Sequence, residues 1–153
     1  MGQTKQTKQR DPGTSASDDV YYLGIDPGQD KCGLAIVGSD RHLIERQIVL
    51  SDQLLEQIGI LLAKVAVDRL ILGNQTRSEF WRQKIQSAWP DREIVLVDER
   101  FSSQQARLRY WDDHPPQGWD RLLPRGMRTP PQPIDDIVAQ ILVERYLDRN
   151  VDA

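Results

Sequence analysis

Three groups of carboxylates stand where apolar runs stop. Asp26 ends the run Val20-Tyr21-Tyr22-Leu23-Gly24-Ile25 and is followed by Pro27-Gly28. Asp98-Glu99 follow Ile94-Val95-Leu96-Val97, and Asp135-Asp136 open a helical stretch. Short apolar runs bounded by turn residues are expected to be buried strands, so these acids belong at the mouth of a sheet. In a parallel sheet the carboxyl ends of the strands share one edge, where α/β ligand sites form. Acids gathered there repel one another unless a cation offsets them. Carboxylates with no His or Cys beside them suit Mg2+ or Mn2+ rather than zinc. The chemistry offered by this pattern is a divalent-metal site. Each acid also has an ordinary reading: Asp26 as a turn former, Asp98-Glu99-Arg100 as a solvated strand exit with a local ion pair, and Asp135-Asp136 as helix-start residues.

Helix geometry separates the last two. At about 100° per residue from Ile134, residues Ile137, Val138, Ile141, Leu142 and Arg145 fall on one face. That leaves Asp135 on the flank and Asp136 on the opposite side, so Asp135 is the better ligand candidate. Its place in the first turn also favours the ionised form, because the helix dipole and free N–H groups stabilise negative charge.

The elements that must position these acids follow from the hydrophobic pattern. Strands are expected near 20–26, 31–38 and 43–50, joined by connections short enough to make them antiparallel, with Pro27 and Gly28 in the first turn. Ser51 or Asp52 is expected to cap a helix running to about Ala66, with Leu54, Leu55, Ile58, Leu61, Leu62 and Val65 on one face. Arg69 to Gly73 and Glu93 to Val97 read as buried parallel strands, each followed by a helix, near 78–89 and 102–111. Residues 112–133 hold six prolines and two glycines, too many breakers for regular structure, and loops of that length are often functional. A last helix is expected from Ile134 to about Arg149.

The 153 residues suit one domain over 20–150, since a chain of this size buries about 68–70% of the surface its unfolded form exposes. Residues 1–19 carry almost no large apolar side chain and are expected to be a disordered tail. At 39% hydrophobic and 28% charged, the composition is that of an ordinary globular protein, with no run of about 18 apolar residues for a membrane span. No apolar signal core is evident, and Cys32 is the single cysteine, so a cytoplasmic protein without a membrane partner is expected. The formal net charge of -3 argues against indiscriminate coating of nucleic acid, but two segments are locally basic. One carries Lys5, Lys8 and Arg10; the other carries Arg121, Arg125 and Arg128 against Asp120 alone.

Three segments resemble the YqgF/RuvX family of Holliday junction resolvase-like proteins. They are Leu23-Gly24-Ile25-Asp26-Pro27-Gly28, Val97-Asp98-Glu99-Arg100-Phe101-Ser102-Ser103-Gln104-Gln105-Ala106, and Ile134-Asp135-Asp136-Ile137-Val138-Ala139. The resemblance spans about 22–149, and its most specific part is the Asp-Glu-Arg segment with two hydroxyl residues and an alanine after it. The Asp-Pro-Gly turn also looks like that of the RuvC resolvases. The implied fold is ribonuclease H-like: α/β, a mixed five-stranded sheet of order 3-2-1-4-5 with strand 2 antiparallel, flanked by helices.

The implied activity is metal-dependent phosphodiester hydrolysis in structured nucleic acid, either branched DNA or the end of precursor 16S rRNA during ribosome biogenesis. Asp26, Glu99 and Asp135 would be catalytic and hold Mg2+ or Mn2+, with Asp98 the other acid able to take the place after strand 5. Many nucleases of this fold carry a ligand at the end of strand 4, where Gly73 stands here, so Glu99 would have to reach across. Arg100, Ser102, Ser103, Arg121, Arg125 and Arg128 are the candidate nucleic-acid contacts, with Arg100 also able to pair with Asp98. Tyr110, Trp111 and Trp119 border the proline-rich loop, as core anchors or as stacking surfaces. His42 and His114 are assigned no catalytic role.

Two other classes stand beside this reading. One is an inactive ribonuclease H-like module that binds nucleic acid or a ribosome without cutting. The other is a fragment of a sugar-kinase or actin-like ATPase, whose phosphate hairpin a Gly-Ile-Asp-Pro-Gly turn also resembles, though such proteins need two such domains. Monomer and homodimer are both open, since neither a heptad nor a large leftover apolar face marks an interface.

Overall fold

The computed structural model describes residues 19–151 apart from Thr76. The tail expected to be disordered, with Lys5, Lys8 and Arg10, lies almost wholly outside them. The strands are β1 (Tyr21–Asp26), β2 (Lys31–Gly38), β3 (Leu43–Leu50), β4 (Val67–Gly73) and β5 (Glu93–Val97). The helices are α1 (Leu54–Lys64), α2 (Ser78–Ala88), α3 (Ser102–Asp113) and α4 (Asp135–Val151). The sheet order is β3-β2-β1-β4-β5. β2 runs antiparallel to β1 and β3, while β4 is parallel to both β1 and β5. This is the 3-2-1-4-5 order that the ribonuclease H-like resemblance implies.

Alternation along the strands builds two cores, one on each face. Leu23 and Ile25 of β1, Leu34 and Ile36 of β2, and Leu70 and Leu72 of β4 pack with Leu54, Ile58 and Leu61 of α1 and Ile85 of α2. Tyr22, Ala35, Val37, Ile71 and Val97 face the other way, onto α3 and α4. Each fully buried Leu or Ile contributes about 1.5–3 kcal/mol of transfer free energy, so a one-residue slip of register would be costly on both faces at once.

α4 lies hard against the middle of the sheet because two strand positions there have no side chain. A Cβ at Gly24 would stand 2.2 Å from the Ala139 carbonyl oxygen, and one at Gly33 would stand 1.8 Å from the Asp135 carbonyl oxygen. Gly33 is the antiparallel partner of Asp26. These two glycines therefore fix where the first turn of α4 sits, directly above the end of β1.

Three expectations need correction. Ser51 does not cap α1: residues Ser51–Gln53 form a 3-10 turn first, and the Ser51 hydroxyl donates instead to the carbonyl oxygens of Gly28 (3.2 Å) and Gln29 (2.9 Å). It ties the β1–β2 turn to the end of β3, where Cys32 is also buried. β5 is not a fully buried strand but the sheet edge, with Leu96 38% exposed. The proline-rich segment is not wholly irregular, since it contains 3-10 turns at Gly118–Leu122 and Arg125–Met127.

Candidate active site

Asp26, Gly73 and Val97 end the three mutually parallel strands β1, β4 and β5, with Gly73 level with Val97 in the register. Past Val97 the chain turns: the Asn74 N–H donates to the Val97 carbonyl, and the Glu99 N–H donates to Asn74 Oδ1 at 3.4 Å. This turn drives the two adjacent acids in opposite directions. Asp98 points out to solvent, where Arg100 holds it through Nε (3.0 Å) and its backbone N–H (2.9 Å). Those bonds lower the Asp98 pKa from its ordinary value. Glu99 points inward and is only 4% exposed.

The Glu99 carboxylate lies over Gly73. A Cβ built there would stand 2.1 Å from Glu99 Oε2, so the acid of strand 5 fills the space that a side chain at the end of strand 4 would occupy. From that position Glu99 meets Asp26. Burial, the charges of Glu99 and Asp135, and a hydrogen bond to Glu99 push the Asp26 pKa up to about 8. Burial also raises Glu99, against the opposing pull of the Gln75 backbone N–H, of the Asp26 hydrogen bond and of Arg145. Both acids of the pair are thus held above the ordinary carboxylate range, and the hydrogen bond between them acts in opposite senses, raising Asp26 and lowering Glu99. Asp135 is also raised, chiefly by burial, and Lys31 partly opposes this.

Asp136 is turned away from this group. Its Oδ2 pairs with Arg46 Nε of β3 at 3.1 Å, which anchors the first turn of α4 to the far side of the sheet and leaves Asp135 on the inner side.

The donor set consists of carboxylate oxygens alone. Cys32 is occupied with Gly28 and Ser51, and His114 stacks on Tyr110 well along α3. That chemistry fits a hard cation such as Mg2+ or Mn2+. Among the described residues, however, no three acid, His or Cys side chains stand close enough together to enclose an ion as they are. The acids meet as a tight pair, Asp26 with Glu99, and Asp135 acts on Asp26 as a neighbouring charge.

Of the expected nucleic-acid contacts, Arg100 is exposed but paired with Asp98. Ser102 does not face solvent as a phosphate contact requires; it is buried, and its hydroxyl donates to the Glu99 carbonyl at 2.6 Å. Ser103 is exposed. Arg125 pairs with Asp112, and Arg128 Nε donates to the Leu123 carbonyl at 3.0 Å, while Arg121 is exposed. Tyr110 and Trp111 are core residues, whereas Trp119 is 84% exposed.

Two participants were not singled out from the sequence. Arg145 of α4 donates to the carbonyls of Asp98 (2.9 Å) and Arg100 (2.8 Å) and to Gln105 Oε1 (3.2 Å), clamping the turn that carries Glu99. Its signal was an arginine on an otherwise apolar helix face. Lys31, the first residue of β2, is the cation nearest in effect to Asp135. A lysine just after the Asp-Pro-Gly turn was the available clue.

No protein-family profile matches the chain, and no curated protein matches it. Among solved structures, Thermus thermophilus RuvC matches over 86% of this chain and 96% of its own, with a TM-score of 0.54 and 12% identity. At that identity the likeness establishes the fold, which is ribonuclease H-like. A ROK family protein from Streptococcus pneumoniae (12% identity, TM-score 0.42) and a ROK family glucokinase from Streptomyces griseus (13%, 0.40) match 63% and 59% of this chain. The chain spans only 39% and 36% of their lengths, and at those scores they do not bear on function.

Proposed function

We propose that the protein is a metal-dependent nuclease of the YqgF/RuvX type, hydrolysing phosphodiester bonds in structured nucleic acid such as branched DNA or the end of precursor 16S rRNA. The observation that carries this reading is the placement of Glu99 over Gly73 and against Asp26, beneath the α4 turn that bears Asp135. Burying like charges together is costly, and a cation at this edge offsets the cost.

Asp26, Glu99 and Asp135 would hold the ion, and Asp98 would serve the turn through Arg100 rather than bind metal. Bound Mg2+ or Mn2+ supplies Lewis acidity, lowering the pKa of an attacking water and stabilising the leaving oxygen. The residues supply the remainder. The two glycines and the Arg145 clamp fix the carboxylates, and Arg100, Ser103 and Arg121 would meet backbone phosphates.

The test is cleavage of labelled four-way DNA junctions and of a precursor rRNA end fragment, with Mg2+, Mn2+ or EDTA. Metal-dependent cutting that is lost in Asp26→Asn, Glu99→Gln and Asp135→Asn supports the proposal and selects the substrate. A second reading, a module that binds without cutting, is favoured by one observation: among the described residues no three ligands are already gathered. It predicts equal binding by wild type and variants, with no cleavage of either substrate.

A further inference from the structure

We propose that the cleft between α3 and the proline-rich loop receives unstacked bases of a single strand running away from the acid edge. The preferred substrate would then carry unpaired nucleotides beside the cut. This rests on the nucleic-acid reading above and adds a surface to it.

The cleft has a volume of about 290 Å3 and is lined by Gln104, Arg107 and Leu108 of α3 and by Arg125 and Gly126 of the loop. On α3, Gln104 and Leu108 stand four residues apart and so share one face of the helix. Phe101, two residues after Glu99 and just before the helix, is 74% exposed in a left-handed conformation (φ 63°). The Ser102 hydroxyl and Arg145 hold that turn in place. The loop on the other side of the cleft exposes Met127 (70%), and its preceding 3-10 turn exposes Leu122 and Trp119.

Charge identifies the occupant. Of the five arginines over residues 102–133, Arg109 pairs with Glu144 of α4 and Arg125 with Asp112, which leaves Arg107 on the cleft wall and Arg121 and Arg128 on the loop as the cations among the exposed apolar side chains. Flat apolar surface interleaved with arginine suits a strand whose bases are free to stack and whose phosphates need neutralising. An intact duplex hides its base faces and offers Phe101, Leu108 and Trp119 nothing to stack on. A second copy of this chain would bring the same arginine-bearing patch up to itself across a two-fold axis.

The experiment measures fluorescence anisotropy of a labelled single-stranded oligonucleotide and of a blunt duplex of the same sequence, in EDTA. It compares wild type with Leu108→Glu and Trp119→Ala, each checked for native circular dichroism. The expected result is tighter binding of the single strand by wild type, about ten-fold weaker binding by each variant, and quenching of tryptophan emission on binding. Equal single-strand binding by wild type and both variants, or preference for the duplex, overturns this surface while leaving the nuclease assay above to stand on its own. Wild type binding neither probe overturns this surface and counts against the nucleic-acid reading as well. Self-association in sedimentation equilibrium that disappears in Leu108→Glu assigns the patch to a second copy and also overturns it.

Discussion

At the scale of single residues, Asp26 is the group whose ionisation is most disturbed, and the cause is position: a strand end on the α4 side, next to two other acids. Its folded pKa of about 8 lies above the ordinary 3.8. A group raised in this way stabilises the fold fully below its unfolded pKa, and that contribution is lost as pH rises toward the folded value. In EDTA, urea unfolding should therefore show stability falling between about pH 4 and 8, and Asp26→Asn should flatten this slope. Each unit of displacement corresponds to about 1.4 kcal/mol, so the variant should exceed wild type at pH 8 by at least that order. A wild-type profile that is flat or rises over the same range would count against the burial of this acid. Gly73 offers the complementary change. Gly73→Ala places a methyl where Glu99 Oε2 lies, so cleavage should fall at least about ten-fold while the circular dichroism spectrum stays native. Unchanged cleavage would mean that Glu99 does not work from this position.

At the scale of elements, α4 links the site to the core, with Asp135 in its first turn and Arg145 three turns further on. Through Arg145 it grips the carbonyls on either side of Glu99. Arg145→Ala should lower the turnover number of the proposed cleavage about ten-fold with little change in substrate KM, Arg145→Lys should recover part of it, and the amides of 99–101 should exchange faster. A KM effect alone, with exchange unchanged, would reduce the residue to a surface contact.

The strand and helix spans were legible in the sequence because alternation and helical periodicity are both strong here. β2 and β3 were expected at 31–38 and 43–50, and they occupy those residues. Local details were less legible. Ser51 carries a good capping residue type, but the turn after Asp26 competes for its hydroxyl and wins through two carbonyl acceptors. Ser102 looked free in the sequence and is consumed by the Glu99 carbonyl. Both outcomes depend on residues distant in space from the local pattern, or on a turn that folds back on itself.

At the scale of the whole molecule, the fold gathers onto one edge acids that are separated by up to 109 positions in the chain, Asp26 and Asp135 being the extremes. Which of Asp98 and Glu99 turns inward was undetermined in the sequence, because adjacent residues at a strand exit can take either side. The Asn74 contact, the Arg145 clamp and the bare Gly73 together send Glu99 in and Asp98 out. No helix among the described residues is long and apolar enough to cross a membrane, and Leu108 of α3 with Trp119, Leu122, Leu123 and Met127 of the proline-rich loop are among the exposed apolar side chains.

The central claim is that Asp26, Glu99 and Asp135 act as one cation site, and a Mn2+ titration followed by electron paramagnetic resonance near pH 7.5 tests it directly. Wild type should bind Mn2+ in competition with Mg2+, and Asp26→Asn, Glu99→Gln and Asp135→Asn should each weaken binding at least about ten-fold, while Asp98→Asn should leave it nearly unchanged. Absence of Mn2+ binding by wild type, or equal binding by all four variants, would contradict it.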